Sequence, residues 1–435
     1  MPVIQGAGTE QMKIKPAGFP EQPDVVIIGA GPAGMMMAYL LVTNGISVRV
    51  LERHPDFKRE FRGEGIQPSV MAVLDGLGFL PVLLEKGIAI PAQQAKIFLD
   101  EKLVLTLGGL AEKADDFGLI VFQEGFLSFL HELCSAYPNY RLDMGFAVTE
   151  PIFEDGTVKG VLGRRKGGSE ERIEGRLFVV ASGRNTGLRK KVGIEVDVLE
   201  STFNIYWLKF DAPSDPDLIP DGFRAYLKDD SMFIFYRTYD HRLQVAWGKR
   251  KWDSQAVRDL VELKSQLITE SPQGYLPMIN EQFGEHTERQ ILKVACDRMK
   301  KWSVPGMLFI GDAAHTMSPV AGQGINLAVR DSIVASNHLI TAQRQGLAWD
   351  AALLEMIEAE RRPEVEELQT FQIRLGHLML GAPRWQTRLV FRQLMPVFSA
   401  FGIRQHFVRR VQGGKSVVKV QYPVKLAEVA IRGAG

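Results

Sequence analysis

The hydrophobic pattern is densest at residues 25–42, where VVIIGAGPAGMMMAYLLV places 18 apolar residues in a row. A run of about 18 residues is close to the minimum for a membrane-spanning helix. Glycine and proline nevertheless interrupt the run near its middle, with β-branched residues before the break and Met, Ala and Leu after it. The pattern therefore predicts a strand, a glycine-rich turn and a helix rather than a membrane span.

Apolar strands and helices alternate through the first half of the chain, which predicts an α/β fold with a parallel sheet. Strand 24–29, helix 32–44 and strand 47–52 make one βαβ unit, with Gly45 placed to end the helix. The other predicted elements are helices at 69–80 and 126–137, strands at 145–149, 158–165, 170–174, 176–181 and 307–311, and a long helix from about 323.

Residues 200–290 differ from the rest because they are rich in aromatic residues and partly alternate between polar and apolar positions. This pattern predicts an antiparallel sheet inserted between two halves of a layered domain. Most of its aromatic side chains are expected in the sheet core. Tyr206, Tyr226 and Tyr236 are the candidates for a substrate pocket, since buried hydroxyl groups need hydrogen-bond partners. The predicted elements are strands 203–210, 223–228, 231–237 and 243–249 and a helix at 254–270.

Composition and charge exclude several classes of protein. The 435 residues include 52 basic and 51 acidic side chains, so the net charge of +1 gives no overall attraction to nucleic acid. Cys134 and Cys296 show no metal-ligand spacing, and we expect no metal site. The two scattered cysteines and the absence of a signal-sequence pattern in the first 23 residues indicate a reducing, cytoplasmic location. The alternative is that the two cysteines form one disulfide bond.

Positive charge is concentrated at the C-terminus. Residues 381–435 contain ten Lys or Arg and one acid, a net charge of +9, which leaves −8 for residues 1–380. Arg384, Arg388 and Arg392 recur every four residues and share one helical face. A basic, aromatic-bearing helix over 384–411 is able to contact an anionic membrane surface peripherally. The alternative is that its apolar side packs on the protein itself while the arginines extend outward.

The glycine-rich turn after the first strand has the spacing of a dinucleotide-binding motif. Gly29 allows the tight turn, Gly31 lets a pyrophosphate approach the backbone, and Gly34 lets helix and strand pack closely. The helix N-terminus then receives the phosphates. Glu52 ends the next strand, 18 residues after Gly34, where a carboxylate accepts hydrogen bonds from ribose hydroxyls. Together these features predict a dinucleotide site.

A second motif indicates which dinucleotide binds. Residues 307–326 (MLFIGDAAHTMSPVAGQGIN) combine a strand, Gly311-Asp312 at its end, a loop and a glycine-rich helix start. They offer another carboxylate and a separate helix N-terminus. This arrangement suits a long ligand whose remote end must also be held, as the ribityl chain and ring of FAD require. NAD has no ribityl chain, so the two motifs together favour FAD.

With these motifs the chain resembles the FAD-dependent monooxygenases of the para-hydroxybenzoate hydroxylase type, or group A flavin monooxygenases, over roughly residues 24–375. The resemblance is carried by GAGPAG with Glu52-Arg53, Arg62-Gly63-Glu64 with Pro68-Ser69, Gln123 ahead of Phe126-Leu127, and GDAAHTMSPVAGQGIN. It implies FAD contacts from Gly29, Gly31, Pro32, Ala33, Gly34, Glu52, Arg53, Arg62, Gln123, Val148, Gly311, Asp312, Pro319, Gly322, Gly324, Ile325 and Asn326.

The resemblance also implies individual roles. The carboxylate of Glu52 would bind the adenosine ribose, and the backbone of Val148 would border the adenine. The pyrophosphate and ribityl region would be bound by Arg62, Gln123 and Asp312. Pro319 would lie near the flavin ring. Backbone N–H groups at 324–326 would face the pyrimidine edge of the flavin and stabilise negative charge on it.

The reaction is likewise implied by the resemblance. No second strand–GxGxxG–helix unit is present, so NAD(P)H is expected to bind transiently and reduce the flavin. A flavin hydroperoxide would then hydroxylate or epoxidise an aromatic or lipophilic small molecule, in secondary metabolism. No convincing general base is visible, and Arg62, His315 and Pro319 are only weak catalytic candidates. His315 is alternatively a hydrogen-bonded turn residue, and Arg62 alternatively pairs with a nearby glutamate.

One departure from the family keeps two alternatives open. The family usually has Asp-Gly after the strand near 180, in a loop associated with FAD and NAD(P)H contacts, but Ser182-Gly183 stands here. A serine brings no charge, which puts the means of flavin reduction in doubt. The alternatives are an FAD-dependent reductase or dehydrogenase acting on a lipid or polyene, and a flavin-binding partner protein without turnover. The WxWxIP segment of a flavin halogenase is not matched at 302–305.

The sequence thus predicts a discontinuous FAD-binding domain, an inserted substrate-binding lobe that is mostly antiparallel, and a basic helical C-terminal segment. Their predicted bounds are 20–90, 120–199 and 290–380 for the FAD-binding domain, 91–119 and 200–289 for the lobe, and 381–435 for the C-terminal segment.

Overall fold

The computed structural model describes residues 19–58, 65–108, 118–184, 186–199, 203–228, 230–250, 259–394 and 418–426. Within these ranges the helices are α1 (Pro32–Val42), α2 (Pro68–Gly76), α3 (Phe79–Glu85), α4 (Gln123–Ser135), α5 (Leu188–Lys191), α6 (Leu260–Glu270), α7 (Leu276–Gln282), α8 (Gly324–Arg344), α9 (Ala351–Gly376) and α10 (Arg384–Arg388).

The strands are β1 (Val25–Ile28), β2 (Val48–Glu52), β3 (Gly65–Ile66), β4 (Ala89–Ala92), β5 (Gln94–Leu99), β6 (Lys102–Leu107), β7 (Gly118–Val121), β8 (Tyr140–Met144), β9 (Phe146–Glu154), β10 (Thr157–Arg165), β11 (Glu171–Glu174), β12 (Leu177–Val180), β13 (Val196–Leu199), β14 (Asn204–Phe210), β15 (Gly222–Lys228), β16 (Ser231–Arg237), β17 (Leu243–Lys249), β18 (Glu288–Leu292), β19 (Cys296–Met299), β20 (Ser303–Val304), β21 (Met307–Phe309) and β22 (His315–Thr316).

A parallel sheet forms the core of the first layer, in the order β20-β21-β12-β1-β2-β8. Strand β1 pairs in parallel with both β12 and β2, and all four of its residues are buried, as expected for a central strand covered on both faces. Helix α1 packs on α4 and α8. The 18-residue apolar run is therefore divided between β1 and α1, and the α/β prediction is confirmed.

A seven-stranded, mostly antiparallel sheet forms the second layer, in the order β18-β14-β17-β16-β15-β5-β6. One face of this sheet packs on α6 and α7. The other face joins an apolar cluster that includes the loop at Val320 and residues after α9. The sheet draws strands from 94–107 as well as from 204–292, in line with the predicted lobe, whose exact bounds stay a prediction.

Two local features differ from the sequence prediction. The helix predicted at 69–80 is two helices, α2 and α3, because Gly78 between them adopts a φ of +76°, which ends one helix and redirects the chain. The 26-residue helix α9 was not predicted at all. Helix α6 begins at Leu260, where the side chain of Asp259 accepts hydrogen bonds from the first turn, and residues 254–258 of the predicted helix lie outside the described residues.

The C-terminal segment contacts the protein itself where it is described. It begins as the short helix α10, and the side chains of Arg388 and Arg392 both donate to Asp100 Oδ2, at 2.9 and 3.1 Å. The non-helical residues 418–425 lie against α1 and α8, where Tyr39 donates to the carbonyl of Val424 at 2.7 Å. Much of the 384–411 segment proposed for membrane contact lies outside the described residues.

Within the described ranges, no single helix is both long and apolar enough to cross a bilayer. Only α2 and α3 taken together reach that length and composition, and the chain bends by 102° between them.

Candidate active site

A cavity of about 640 Å³ lies between the parallel sheet and the seven-stranded sheet. The parallel-sheet side contributes the glycine turn after β1, the end of β2, the start of α4, the loop after β12 and the start of α8. The seven-stranded sheet contributes residues of β14, β16, β17 and β18. The carboxyl ends of parallel strands are where open α/β sheets bind ligands, so this cavity is the candidate active site.

The three glycines of the first motif have different surroundings. A Cβ at Gly29, whose φ is +110°, would lie 2.6 Å from the carbonyl oxygen of Ala181. A Cβ at Gly34 would lie 1.9 Å from the carbonyl oxygen of Gly29, so this glycine allows α1 to pack on the turn. A Cβ at Gly31 would meet no protein atom within 4 Å, although Gly31 lines the cavity. The protein therefore needs two of the glycines for its own packing, and the third leaves room for a ligand.

Glu52 is held rigidly at the end of β2. Its side chain is only 5% exposed, with Oε2 accepting from the backbone N–H of Ala30 at 2.8 Å and Oε1 accepting from that of His54 at 2.9 Å. Glu52 lines the cavity, and a carboxylate oxygen has a second lone pair for another donor. This geometry suits acceptance of a hydrogen bond from a ribose hydroxyl.

Replacing Glu52 by glutamine is expected to raise the dissociation constant for FAD about tenfold. The amide group offers one acceptor where the carboxylate offers two, so a buried backbone N–H loses its partner and the orientation of the side chain changes. FAD binding to the unloaded protein, followed by flavin fluorescence, measures the effect. The matched control is Glu195→Gln, which neutralises a carboxylate that is 76% exposed and pairs with Lys300. Equal FAD affinity in wild type and E52Q would contradict the assignment.

Two buried charged residues, Arg189 and Asp331, fix the position of the Gly311-Asp312 loop through hydrogen bonds to its backbone. Arg189 donates to the carbonyl oxygens of Asp312 and Ala313 at 2.6 and 2.7 Å. Asp331, in the middle of α8, accepts from the backbone N–H of Gly311 at 2.9 Å and from His315 Nε2 at 2.7 Å. Asp312 itself lines the cavity. The loop that presents Asp312 is therefore positioned by Arg189 and Asp331.

Arg189 and Asp331 were missed at the sequence level. Asp331 stands among buried residues of α8, and Arg189 is only 6% exposed. For Asp331, the sequence signal was a charged residue within the mostly apolar stretch of α8. Such a charge indicates a buried ion pair, because buried charges are retained only where they are paired.

His315 is fully buried and does not line the cavity. Besides its hydrogen bond to Asp331, its ring packs 4.8 Å from the ring of Trp302. The catalytic expectation for His315 is therefore corrected. The alternative of a hydrogen-bonded turn histidine describes its position, because its Nε2 supports the loop that carries Asp312.

The remaining predicted FAD contacts divide into two groups. The cavity is lined by Pro32, Ala33, Arg53, Gln123, Val148, Pro319, Gly322, Gly324 and Ile325. Asn326 instead ties two loops together: its side chain accepts from the backbone N–H of Gln67 at 2.7 Å and donates to the carbonyl of Gly322 at 2.9 Å. Gly311 stands beside Asp312, with a φ of +58°. Arg62 lies outside the described residues.

The start of α8 borders the cavity. The first N–H groups of a helix have no partner within it, and they carry the positive end of the helix dipole. Gly324 and Ile325, in the first turn of α8, line the cavity beside Pro319. This end is therefore suited to the negatively polarised edge of a ligand.

The tyrosine prediction is corrected by the structure. Tyr206 and Tyr226 lie on the face of the seven-stranded sheet that packs on α6 and α7, away from the cavity. Tyr236 lies on the cavity-side face but packs against the Trp207 ring, at 6.4 Å between centroids, without lining the cavity. Adjacent residues of a strand point to opposite faces, so Ile205 and Trp207 line the cavity in place of Tyr206.

Ser182, which stands where the family usually has an aspartate, lies in the wall of the cavity. Ser182 lines the cavity, and its buried Oγ has no hydrogen-bond partner among the residues that the structure describes. Gly183 beside it has a φ of +74°, a backbone conformation that favours glycine. The serine thus offers a neutral donor and acceptor at this position.

The family model for the FAD binding domain matches residues 22–372 of this chain. The chain belongs to this family of FAD-dependent monooxygenases. The 6-methylpretetramide 4-monooxygenase of Streptomyces rimosus is 28% identical over 418 residues, covering 93% of this chain and 97% of that protein. The 3-demethoxyubiquinol 3-hydroxylase of Escherichia coli K12 is 25% identical over 346 residues, covering 75% of this chain and 82% of that protein.

The fold of the monooxygenase matches solved structures as well. The p-nitrophenol 4-monooxygenase PnpA of Pseudomonas putida DLL-E4 superimposes with a TM-score of 0.77 at 17% identity, over 91% of this chain and 99% of that one. The predicted family, fold class, enzyme class and FAD cofactor are thus confirmed. The residues present fit FAD, because the space beside Gly31, the Glu52 carboxylate and the two helix N-termini occur in one cavity.

Proposed function

We propose that this monooxygenase hydroxylates or epoxidises a neutral aromatic or lipophilic small molecule with O2 and NAD(P)H. The observation that carries the proposal is that the wall with the dinucleotide motif continues, within one cavity, into an apolar wall of Ile205, Trp207, Met232, Ile234 and Ala246. For hydroxylation, one oxygen atom of O2 enters a C–H bond of the substrate. The other leaves as water, formed with the hydride of NAD(P)H, which supplies two electrons and one hydrogen, and with one proton from solution.

When bound, FAD supplies the activation of O2 and the transfer of one oxygen atom. The chain itself binds, orients and excludes water. Glu52 and the α1 N-terminus would hold the adenosine and pyrophosphate end of FAD, and the α8 N-terminus would supply N–H donors to its flavin end. The apolar wall keeps water from the substrate, which limits unproductive decay of the oxidant. No side chain of this chain is assigned as a general base.

The relatives support this substrate class. The Streptomyces rimosus and Escherichia coli proteins are named as a monooxygenase and a hydroxylase of organic small molecules. Transient NAD(P)H binding remains part of the proposal, with Ser182 in the loop where an aspartate is usual. Both cysteines are free and buried, which fits the reducing, cytoplasmic location that we propose and removes the possible disulfide between them.

The decisive experiment supplies the FAD-loaded enzyme with NADH or NADPH, ¹⁸O2 and a panel of neutral polycyclic aromatic compounds. We expect substrate-stimulated NAD(P)H oxidation and a product heavier by one ¹⁸O atom. Reduction of a substrate double bond without oxygen uptake would replace the proposal with a reductase. A flavin-containing protein inert to every combination would indicate a binding partner without turnover.

A further inference from the structure

The loop between β22 and α8 has an unusual backbone conformation beside the cavity. Ala321 and Gly322 are both left-handed, with φ values of +59° and +58°. Glycine adopts this conformation readily, but for alanine it is sterically unfavourable, and two such residues in succession are uncommon. Pro319, Val320 and Gly322 of this loop line the cavity. Strain of this kind persists only where the surrounding structure holds the backbone in place.

Two glutamine side chains from distant parts of the chain hold the carbonyl groups of the loop. Gln372 Nε2, on α9, donates to the carbonyl oxygen of Val320 at 2.7 Å. Gln67 Nε2, from the residue before α2, donates to the carbonyl oxygen of Ala321 at 3.1 Å. Gln323 Nε2 approaches the same oxygen of Ala321 at 3.4 Å. The peptide groups on either side of the strained alanine are therefore both fixed by side-chain amides.

Asn326 extends this arrangement to the start of α8. Its Nδ2 donates to the next carbonyl of the loop, that of Gly322, at 2.9 Å, and its Oδ1 accepts from the backbone N–H of Gln67 at 2.7 Å. Asn326 lies in the first turn of α8, whose N-terminal residues Gly324 and Ile325 line the cavity. The loop, the helix start and the residue before α2 thus form one hydrogen-bonded unit.

Burial makes the two glutamine donors difficult to replace. Gln372 is 0% exposed and Gln67 is 5% exposed. A carbonyl group that loses its donor in such surroundings has no solvent water to take its place, so the backbone has to move to find another partner. Movement of this loop would also displace Val320, whose side chain packs in the apolar cluster on the cavity-side face of the seven-stranded sheet.

We propose that Gln67 and Gln372 are positioning residues for the flavin end of FAD. By fixing the carbonyls of Ala321 and Val320, they keep Ala321 left-handed and so hold Pro319 and the N-terminus of α8 at the cavity. This inference rests on the proposed function, because it takes the flavin end of FAD to lie beside the N-terminus of α8. Without either amide the loop relaxes, and the helix N–H donors no longer meet the flavin in the same geometry.

The test begins with Gln372→Met, because methionine matches the length and flexibility of glutamine but has no N–H donor. We expect Q372M to bind oxidised FAD about tenfold more weakly. We also expect the visible absorption band of the bound flavin to shift, since this band responds to hydrogen bonds at the ring. Fluorescence titration of the unloaded protein gives the dissociation constant. Wild-type affinity and spectrum in Q372M would overturn the proposal.

Ala321→Gly separates positioning from the simple loss of a buried hydrogen bond. Glycine adopts a φ of +59° without strain, so the loop needs less help to keep its conformation. We expect A321G alone to change the dissociation constant for FAD less than about twofold, and A321G in Q372M to recover at least about threefold of the lost affinity. The Val320 carbonyl lacks the Gln372 donor in the double variant too. Absence of recovery would therefore mean that Gln372 only satisfies that carbonyl, and would overturn the proposal.

Asn139→Leu is the matched control. Asn139 Nδ2 also donates to backbone carbonyls, of Val42 and Ile46 at 3.1 and 2.8 Å, but none of these three residues lines the cavity. N139L is expected to lower stability and to leave the flavin spectrum unchanged. A spectral shift as large as that of Q372M would attribute the shift to general loosening of the fold and reject the positioning role.

Gln67→Met tests the same loop from the side of α2 and decides the matter even if Q372M does not fold. It is expected to weaken FAD binding and to shift the flavin band in the same direction as Q372M, because it releases the neighbouring carbonyl. Wild-type FAD affinity and spectrum in Q67M would overturn the proposal.

The failure of this inference is distinguishable from failure of the proposed function. Titration and spectra of oxidised FAD need no O2, NAD(P)H or substrate, whereas the oxygenase assay depends on all three. Incorporation of ¹⁸O with unchanged spectra in both glutamine variants would retain the monooxygenase and reject the positioning role. Altered spectra without ¹⁸O incorporation by the wild type would retain the positioning role and reject the reaction.

Discussion

Replacing Gly34 by alanine is expected to abolish FAD binding and to lower the free energy of unfolding by about 3 kcal/mol or more. The added Cβ would lie 1.9 Å from the carbonyl oxygen of Gly29 and 3.1 Å from Ile27 Cγ2. The Gly29 backbone cannot move away from the added Cβ, because its N–H donates to the carbonyl of Leu51 at 2.8 Å. Helix α1 would have to separate from β1. Flavin content of the purified protein and urea denaturation measure the two effects.

The matched variant Gly31→Ala makes the same chemical change three residues earlier. Its Cβ would meet no protein atom within 4 Å, and the φ of −78° is allowed for alanine. We therefore expect G31A to fold with wild-type stability but to bind FAD at least about tenfold more weakly, because the methyl group projects beside the pyrophosphate site. Gly76→Ala, at the end of α2 and with open space around it, should change neither property.

Two outcomes would contradict the predictions for the Gly31 and Gly34 variants. Normal FAD affinity in G31A would mean that the cofactor does not approach this turn. A G34A protein with normal stability would mean that α1 packs on β1 differently from the structure.

Asp331→Asn is expected to lower the free energy of unfolding by about 3–5 kcal/mol. The carboxylate is 1% exposed and accepts from Gly311, His315 and, at 2.8 Å, from Arg361 Nε. Neutralising it removes a buried negative charge beside the buried guanidinium groups of Arg330 and Arg361, which also pair with the Glu364 carboxylate. Because Asp331 also holds the Gly311 backbone, we expect weaker FAD binding in the same variant.

The pH dependence gives a second readout for Asp331. Burial alone would raise its pKa, but the charges and hydrogen bonds of His315 and Arg361 outweigh burial, so the pKa of Asp331 lies below its ordinary value. A carboxylate with a lowered pKa stabilises the fold above its unfolded-state pKa of about 4 and loses this contribution only as the pH falls through the folded-state value. The stability difference between wild type and D331N should therefore shrink in strong acid, as the pH falls below about 4.

Urea denaturation at several pH values measures this difference. Glu360→Gln is the control on the neighbouring helix α9, because that carboxylate is 56% exposed and pairs with His338 at the surface. Its effect should stay within about 0.5 kcal/mol. A D331N protein as stable as E360Q would show that the buried charges do not depend on Asp331.

Local chemistry explains why much of the fold was predictable. The strands predicted at 231–237 and 243–249 have the observed bounds, because aromatic and β-branched runs end at polar turn residues. Gly45 adopts the expected positive φ, of +82°, just beyond α1. Helix α9 was not predicted because eight of its first 18 residues are charged and Pro363 stands within it, which obscures the apolar helical pattern.

The sequence by itself determined the βαβ unit, the FAD motifs and the family, since each depends on residues within one short segment whose backbone conformation or spacing is specific. Only the tertiary structure decided which face of the seven-stranded sheet meets the cavity. That choice exchanges Tyr206 for Trp207, because a shift of one residue along a strand reverses the side chain's direction. Only the structure also showed that Arg189 and Asp331 hydrogen-bond to the backbone of the Gly311-Asp312 loop. The pairing of buried charges depends on contacts between segments that are distant in sequence.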